Sequence, residues 1–326
     1  MDNILQELKN KIGGAVKENV SLADHTWFKI GGPAKYFFIA KNNDDLVKAL
    51  KAADELKIDH FILGGGSNIL VSDNGYDGLV IKAENKDYKI EGTNVFAESG
   101  VLAVDLLEAT LKAGLTGWSW AAGLPGTIGG AVRGNAGAYG KGIGDILVSA
   151  EVFADGKVKE LSNKELKFSY RDSIVKQKGW IVISAKLKLE KGDLKKEQEQ
   201  VKAYNDRRQQ TQPLNYPNAG CVFKNIDLIE TPINKEKVMK GLDISEEEFK
   251  EATKFNKLPV SYIIDRLDLK GKTIGGAQVS EKHGAFIVNV DHARAEHVIM
   301  LMSDIKMHVR NEIGIQLHEE VQLVGF

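Results

Sequence analysis

Apolar positions recur at helical spacing in several stretches of this chain. In "NDDLVKALKAADEL" (43–56), Leu46, Leu50, Ala53 and Leu56 fall on one face behind an Asn/Asp capping region. From His292 to Ile313, the positions Ala295, Val298, Ile299, Met302, Ile305, Val309 and Ile313 do the same before Gly314. "AVDLLEATLKAGL" predicts a helix stopped by Gly114, and Ser245 with Glu248 has the spacing of a capping box. Elsewhere the period drops to two. "WIVISAKLKLE" sets Ile181, Ile183, Ala185, Leu187 and Leu189 against Ser184, Lys186 and Lys188, a half-buried strand. Short strands are expected at Tyr36–Ala40, Phe61–Leu63, Ile69–Ser72 and Leu79–Ala83, and in "NVFAESG", "AFIVNV" and "EEVQLVG". "SAEVFADGKVKEL" reads as a hairpin whose Asp155-Gly156 suits a type I′ turn. The charged run Lys195–Pro213 reads as a solvated helix bridging two domains. Strands and helices intersperse without a βαβ rhythm, so the expected class is α+β.

A length of 326 residues exceeds one compact core and points to two or three domains. Lys+Arg of 44 against Asp+Glu of 45 leaves a net charge of −1, which directs the chain toward neither nucleic acid nor a membrane. One cysteine excludes an internal disulfide and fits a reducing compartment. The start, "MDNILQELKNKIGG", lacks the apolar core of a signal peptide, and no apolar run approaches membrane-spanning length. The expectation is a cytoplasmic globular protein. Its seven histidines show no metal-ligand spacing, so no metal site is expected.

Two glycine clusters carry the chemistry. "LGGGSN" (63–68) lies between strand-like runs, and "AAGLPGTIGGAVRGNAGAYGKGIGD" covers 121–145. Ordering glycine loses more backbone entropy than ordering any other residue, so such clusters mark places where bare backbone is needed. A third glycine at position 69 would complete the Rossmann fingerprint, but Ile69 stands there and a strand follows. No P-loop signature occurs either. Each cluster offers side-chain-free amides beside a hydroxyl or amide group (Ser67, Asn68, Thr127, Asn135), which suits two phosphates held from two sides.

Seven motifs occur in order: "WFKIGGPA", "LGGGSN", "AAGLPGTIGGAVRGNAGAYG", "FSYRDS", "QPLNYPNAGCVFKN", "LKGKTIGGAQVSEKHGAFIVN" and "LHEEV". From about Ser21 to Gly325 the chain resembles the UDP-N-acetylenolpyruvoylglucosamine reductase family of flavoenzymes. The resemblance implies an FAD domain of the vanillyl-alcohol-oxidase (PCMH) type, built from two α+β subdomains (1–84 and 85–207), and a C-terminal α+β substrate domain (208–326). It also implies that Gly64, Gly65, Gly66, Ser67 and Asn68 bracket the FAD pyrophosphate and isoalloxazine together with Gly123, Thr127, Gly129, Gly130, Asn135, Ala136 and Gly137. NADPH is the implied hydride donor and a UDP-sugar enol ether the implied substrate. Oligomeric state stays open.

By the same resemblance, Arg171 binds the substrate carboxylate, which a planar guanidinium grips bidentately. Glu320 assists at that carboxylate, and Cys221 occupies the proton-donor position, where most relatives carry serine. Tyr170, Asn225 and His283 match positions lining the substrate pocket. Blander roles compete with these: an Arg171–Asp172 surface pair, a solvent-facing Glu320, and a Cys221 acting as a small hydrophobe. Glu319 is the better candidate for the solvent-facing carboxylate. The chain departs from the family pattern at Ile226, where proline is usual, and at Gln322, often arginine. The charged segment between Asn225 and Leu269 is expected to add a helix or two. The short interval from Arg171 to Cys221 resembles the subtype without an extra capping loop. Two other readings remain open at this stage: another FAD-dependent oxidase or dehydrogenase of the same domain class, and a non-catalytic nucleotide-binding module.

Overall fold

The computed structural model describes residues 3–13 and 16–326, and the chain forms two compact units. The first gathers the N-terminal stretch to Val20 with Pro33–Gly66 and Tyr76–Gln210; the second gathers Ser21–Gly32, Ser67–Gly75 and Thr211–Phe326. The 1–84 segment therefore contributes to both units.

The first unit has two sheets. Strands Lys17–Ser21, Pro33–Ala40, Tyr76–Ala83 and His60–Leu63 form one in that order, and the last three run parallel. Helices Asn3–Ile12 and Asn43–Leu56 cover it, burying Leu5, Leu8, Leu46, Leu50 and Ala53 against Tyr36, Phe38, Leu79 and Ile81. Full burial of each such leucine stabilises by roughly 1.5–3 kcal/mol, which selects this face of the helix. Asn42 caps the second helix by accepting from the Asp45 amide at 2.8 Å. The other sheet is antiparallel, in the order Lys157–Ser162, Leu147–Ala154, Ile181–Lys188, Asn94–Glu98, Tyr88–Glu91. Its hairpin turns on Asp155 (φ 54°) and Gly156 (φ 77°), both left-handed as a type I′ turn requires. Trp118 and Trp120, in T-shaped contact at 6.4 Å, are buried in the core of this part.

The charged helix Leu194–Thr211 has no buried residue, as its composition predicts, and it leads from the first unit, which holds it as far as Gln210, into the second, which resumes at Thr211. Polar and aromatic anchors hold it to the first unit. Glu197 Oε1 accepts the amides of Gly117, Trp118 and Ser119 at 3.0, 3.1 and 2.7 Å. Tyr204 stacks on Tyr139 with ring centroids 3.8 Å apart.

The second unit centres on an antiparallel sheet ordered Asn218–Cys221, Phe286–Asn289, Ala277–Val279, Thr273–Ile274. Helix Ala295–Ile313 buries Val298, Leu301, Met302, Ile305 and Val309 in the same core. Strand Gln322–Val324 pairs in parallel with Ile69–Val71, and Phe28, Ile30 and Leu70 join that core, which is why the two early segments fold here. The charged insertion supplies helices Lys235–Leu242 and Glu246–Ala252, the second with the expected Ser245/Glu248 capping box. The long helix starts at Ala295 rather than His292, because His292 is left-handed (φ 45°). Its first amides are capped from far away in sequence: the Asp73 carboxylate accepts from Ala295 and Glu296 at 2.9 and 3.0 Å. An acid at a helix N-terminus satisfies orphan donors and complements the dipole. Replacing Asp73 by Ala is therefore expected to lower unfolding free energy by about 1–2 kcal/mol in urea titrations. A shift below about 0.3 kcal/mol would mean that water replaces the carboxylate without loss.

Candidate active site

The two glycine clusters meet. A Cβ built on Gly65 would stand 2.8 Å from Gly126 Cα, and one on Gly64 would stand 2.7 Å from Thr127 Oγ1. Both distances lie well inside van der Waals contact, so glycine is needed at both positions for the two segments to approach. Thr127 also caps the short helix Ile128–Arg133, its hydroxyl accepting from Gly130 N. Gly129 packs on Ser99, where a Cβ would fall 2.8 Å from the serine Cβ. Gly123 (φ 63°) lies against Asn205 and Arg208 of the charged helix.

Two further observations leave room for a ligand. Gly130 and Gly134 stand one turn apart, and a Cβ on either meets nothing closer than 3.7 and 3.5 Å respectively. Protein packing thus gives no reason for glycine at these two positions, and the bare surface fits a flat ring or a phosphate. In the loop Gly64–Gly66, no acceptor meets the amides of Gly65 or of buried Gly66 among the described residues. Unsatisfied donors of this kind suit an anion.

Asn135, left-handed at φ 42°, donates Nδ2 to Ser169 O at 2.8 Å and accepts from Gly144 N at 3.2 Å. Its side chain therefore braces the loop that carries Arg171. Ala136 accepts from the amide of Ile143 at 2.8 Å, and the Gly137 carbonyl accepts from Arg171 Nη1 at 3.0 Å. Arg171 is itself left-handed (φ 57°), half-buried and 5.5 Å from the Tyr170 ring. Lys176 Nζ donates to its carbonyl at 2.9 Å, while Asp172 accepts from Gln177 at 2.8 Å. Nearby Arg133 is held below its usual pKa by burial, which the Asp172 charge opposes.

In the second unit, Cys221 ends strand Asn218–Cys221, pairs with Phe286 and is half-buried. The turn before it is set by Gly220 (φ 74°), whose amide donates to Asn218 Oδ1 at 2.9 Å. One residue on, the Val222 carbonyl accepts from Glu320 N at 2.9 Å, and Phe223 bridges to Glu319. The segments carrying the thiol and the vicinal carboxylates are thus hydrogen-bonded neighbours. Asn68, expected near phosphate, gives its side-chain amide to Glu320 O at 3.3 Å. The vicinal acids differ in environment. Burial raises the Glu319 pKa, but the hydrogen bond from Lys306 Nζ at 2.6 Å, a backbone hydrogen bond and the charges of Lys306 and His318 together bring it below its ordinary value. Asn225 Oδ1 accepts from Val260 N at 3.1 Å at the start of helix Val260–Arg266. His283 is pushed down by burial, with Lys270 adding to the effect, and its Nδ1 accepts from Ala285 N at 3.3 Å. The ring is then neutral with its proton on Nε2. Among the described residues no cluster of three His, Cys, Asp or Glu could hold a metal ion. Nor is any described helix long and apolar enough to cross a membrane.

A family model described as UDP-N-acetylenolpyruvoylglucosamine reductase, C-terminal domain, matches residues 212–324, and one described as FAD binding domain matches 34–162. The enzyme of that name from Caldanaerobacter subterraneus subsp. tengcongensis is 35% identical, covering 100% of this chain and 98% of the relative. The Bacillus subtilis one is 35% identical over 100% of this chain and 99% of its own. The chain belongs to the UDP-N-acetylenolpyruvoylglucosamine reductase family. The crystal structure of the Thermus caldophilus member superposes with a TM-score of 0.74 at 30% identity, covering 95% of this chain and 99% of that one. As a member of this family the chain is a flavin-dependent oxidoreductase that uses FAD, with NADPH as hydride donor. The FAD-binding match takes in Gly64–Gly66 and Gly123–Gly137, Gly134 among them.

Gly65→Ala and Gly130→Ala separate packing from binding. The first is expected to weaken both fold and flavin retention, since overpacking costs about 1–3 kcal/mol. The second meets Thr127 only at ordinary contact distance and should keep the melting temperature of flavin-free protein, yet lose roughly tenfold or more in FAD affinity. Tight FAD binding by Gly130→Ala would show that the bare face is not the flavin's.

Proposed function

We propose that this chain reduces UDP-N-acetylglucosamine enolpyruvate to UDP-N-acetylmuramate, a step of peptidoglycan precursor synthesis, in the cytoplasm. FAD, when bound, takes hydride from NADPH and delivers it to the terminal carbon of the enol ether. The observation that best supports this reading is the Glu320 N–H to Val222 carbonyl bond. It ties a carboxylate-bearing segment to the strand end that presents the single thiol, within the matched C-terminal domain.

Hydride arriving at the terminal carbon pushes an electron pair toward the substrate carboxylate, so negative charge accumulates there as an aci-carboxylate. Two groups of this chain meet that charge. Arg171 binds the carboxylate through its planar fork, and Glu320 assists at the same carboxylate. The Cys221 thiol then gives its proton to the adjacent carbon, and the thiolate left behind is reprotonated from solvent. A thiol titrates near pH 8.5, well below a serine hydroxyl, so the transfer is easier than it would be from serine. Neutral His283 keeps Nε2–H as a donor, and Tyr170 and Asn225 complete the substrate contacts.

The direct test is NADPH oxidation with and without the enolpyruvyl substrate. Substrate-dependent oxidation is expected; oxidation that ignores the substrate and consumes oxygen would favour a flavin oxidase. Arg171→Lys retains charge but loses the bidentate fork, and turnover is expected to fall about a hundredfold, close to 3 kcal/mol. Near-normal turnover in that variant would remove the fork from the mechanism. Cys221→Ala should still accept hydride from NADPH but reoxidise slowly with substrate, whereas Cys221→Ser should keep substantial activity. In deuterated buffer, deuterium should enter at the carbon bearing the carboxylate. Reoxidation of Cys221→Ala at the unsubstituted rate would assign the proton to another donor.

A further inference from the structure

A loop of three glycines leaves its peptide planes free to flip, since no side chain resists rotation. A flip matters at an anion site, because it presents a carbonyl oxygen where an amide hydrogen should be. The Gly64–Gly65 peptide is trans, so its C=O and N–H point in opposite directions. Whatever holds the carbonyl on one side aims the Gly65 amide to the other.

Lys82 holds it. The residue lies near the end of strand Tyr76–Ala83, paired with Leu63, the last residue of strand His60–Leu63. Leu79 and Ile81 point into the core beneath the helices, so strand alternation turns Lys82 to the opposite face. From there Nζ reaches Gly64 O at 2.5 Å. Among the described residues no carboxylate stands within ion-pairing distance of this half-buried ammonium. Burial pushes its pKa down; the Glu84 charge opposes that shift and Lys86 adds to it. The Gly64 carbonyl is thus the one acceptor for this half-buried ammonium among the described residues, which makes the bond between them a strong one.

We infer that Lys82 is a positioning residue for the cofactor, latching the Gly64 carbonyl so that the Gly65 amide stays turned toward the FAD diphosphate. The inference rests on the FAD reading above. The latch is charge-assisted, and a charged donor holds a carbonyl more strongly than a neutral one.

The test is FAD release from the purified, flavin-loaded protein on dilution into flavin-free buffer, followed by recovery of flavin fluorescence. Lys82→Met is expected to release FAD roughly tenfold faster or more, and Lys82→Arg, which keeps the charged donor, within about threefold of the unsubstituted rate. A role in packing alone would not be rescued by arginine, so release from Lys82→Arg as fast as from Lys82→Met overturns the latch. Release from Lys82→Met within twofold of the unsubstituted protein also overturns it. Should Lys82→Met fail to fold, Lys82→Gln, a shorter neutral donor, carries the same comparison: faster release supports the latch and an unchanged rate overturns it. Unsubstituted protein that is colourless and takes up no FAD removes the FAD reading itself. That failure is distinct from a yellow protein whose release ignores residue 82.

Discussion

The first unit depends on one close approach, backbone against backbone, between Gly64–Gly65 and Gly126–Thr127. No side chain fits between them, so the wall built here is made of peptide groups. Such a wall cannot hold its own shape, and the surrounding structure does so from behind. Glu197 gathers three successive amides ahead of the second cluster, Arg208 and Asn205 close on Gly123, and Asn135 ties the cluster to the Arg171 loop. These are polar contacts to backbone, the kind that fix position with little regard to the shape of an apolar core.

Much of this was legible in the sequence where the cause is local. Helix Asn43–Leu56 has the bounds of its apolar face and cap, and Asp155-Gly156 turns the hairpin as its composition demands. The paired glycine clusters, the thiol after a glycine turn and the vicinal acids were visible as motifs, because each depends on residue type at short spacing. What stayed hidden has distant causes. The start of helix Ala295–Ile313 is set by Asp73, 222 residues away. The docking of the charged helix rests on Glu197 and Tyr204, and a polar segment gives no periodic sign of such anchors. Lys82 was missed because its partner is a carbonyl, and carbonyls are the same in every sequence.

The two neighbouring acids show how environment divides roles that composition leaves equal. Glu319 is committed to Lys306, which keeps it ionised, whereas Glu320 follows it on a segment fastened to Val222 and Asn68.

The parallel pairing of Gln322–Val324 with Ile69–Val71 has a consequence for how the chain is made. The ribosome delivers the strand that follows the glycine loop early and its partner among the last residues of the chain. Throughout synthesis, Ile69–Val71 is an apolar edge without that partner, and loop closure over such a span is slow. The strands of the first unit's two sheets are all made by residue 188, and the four-stranded sheet of the second by residue 289, whereas the pairing of Ile69–Val71 waits for residues 322–324. Nascent chains stalled short of residue 322 would therefore carry Ile69–Val71 as an unpaired apolar edge, the kind of surface on which chaperones and proteases act.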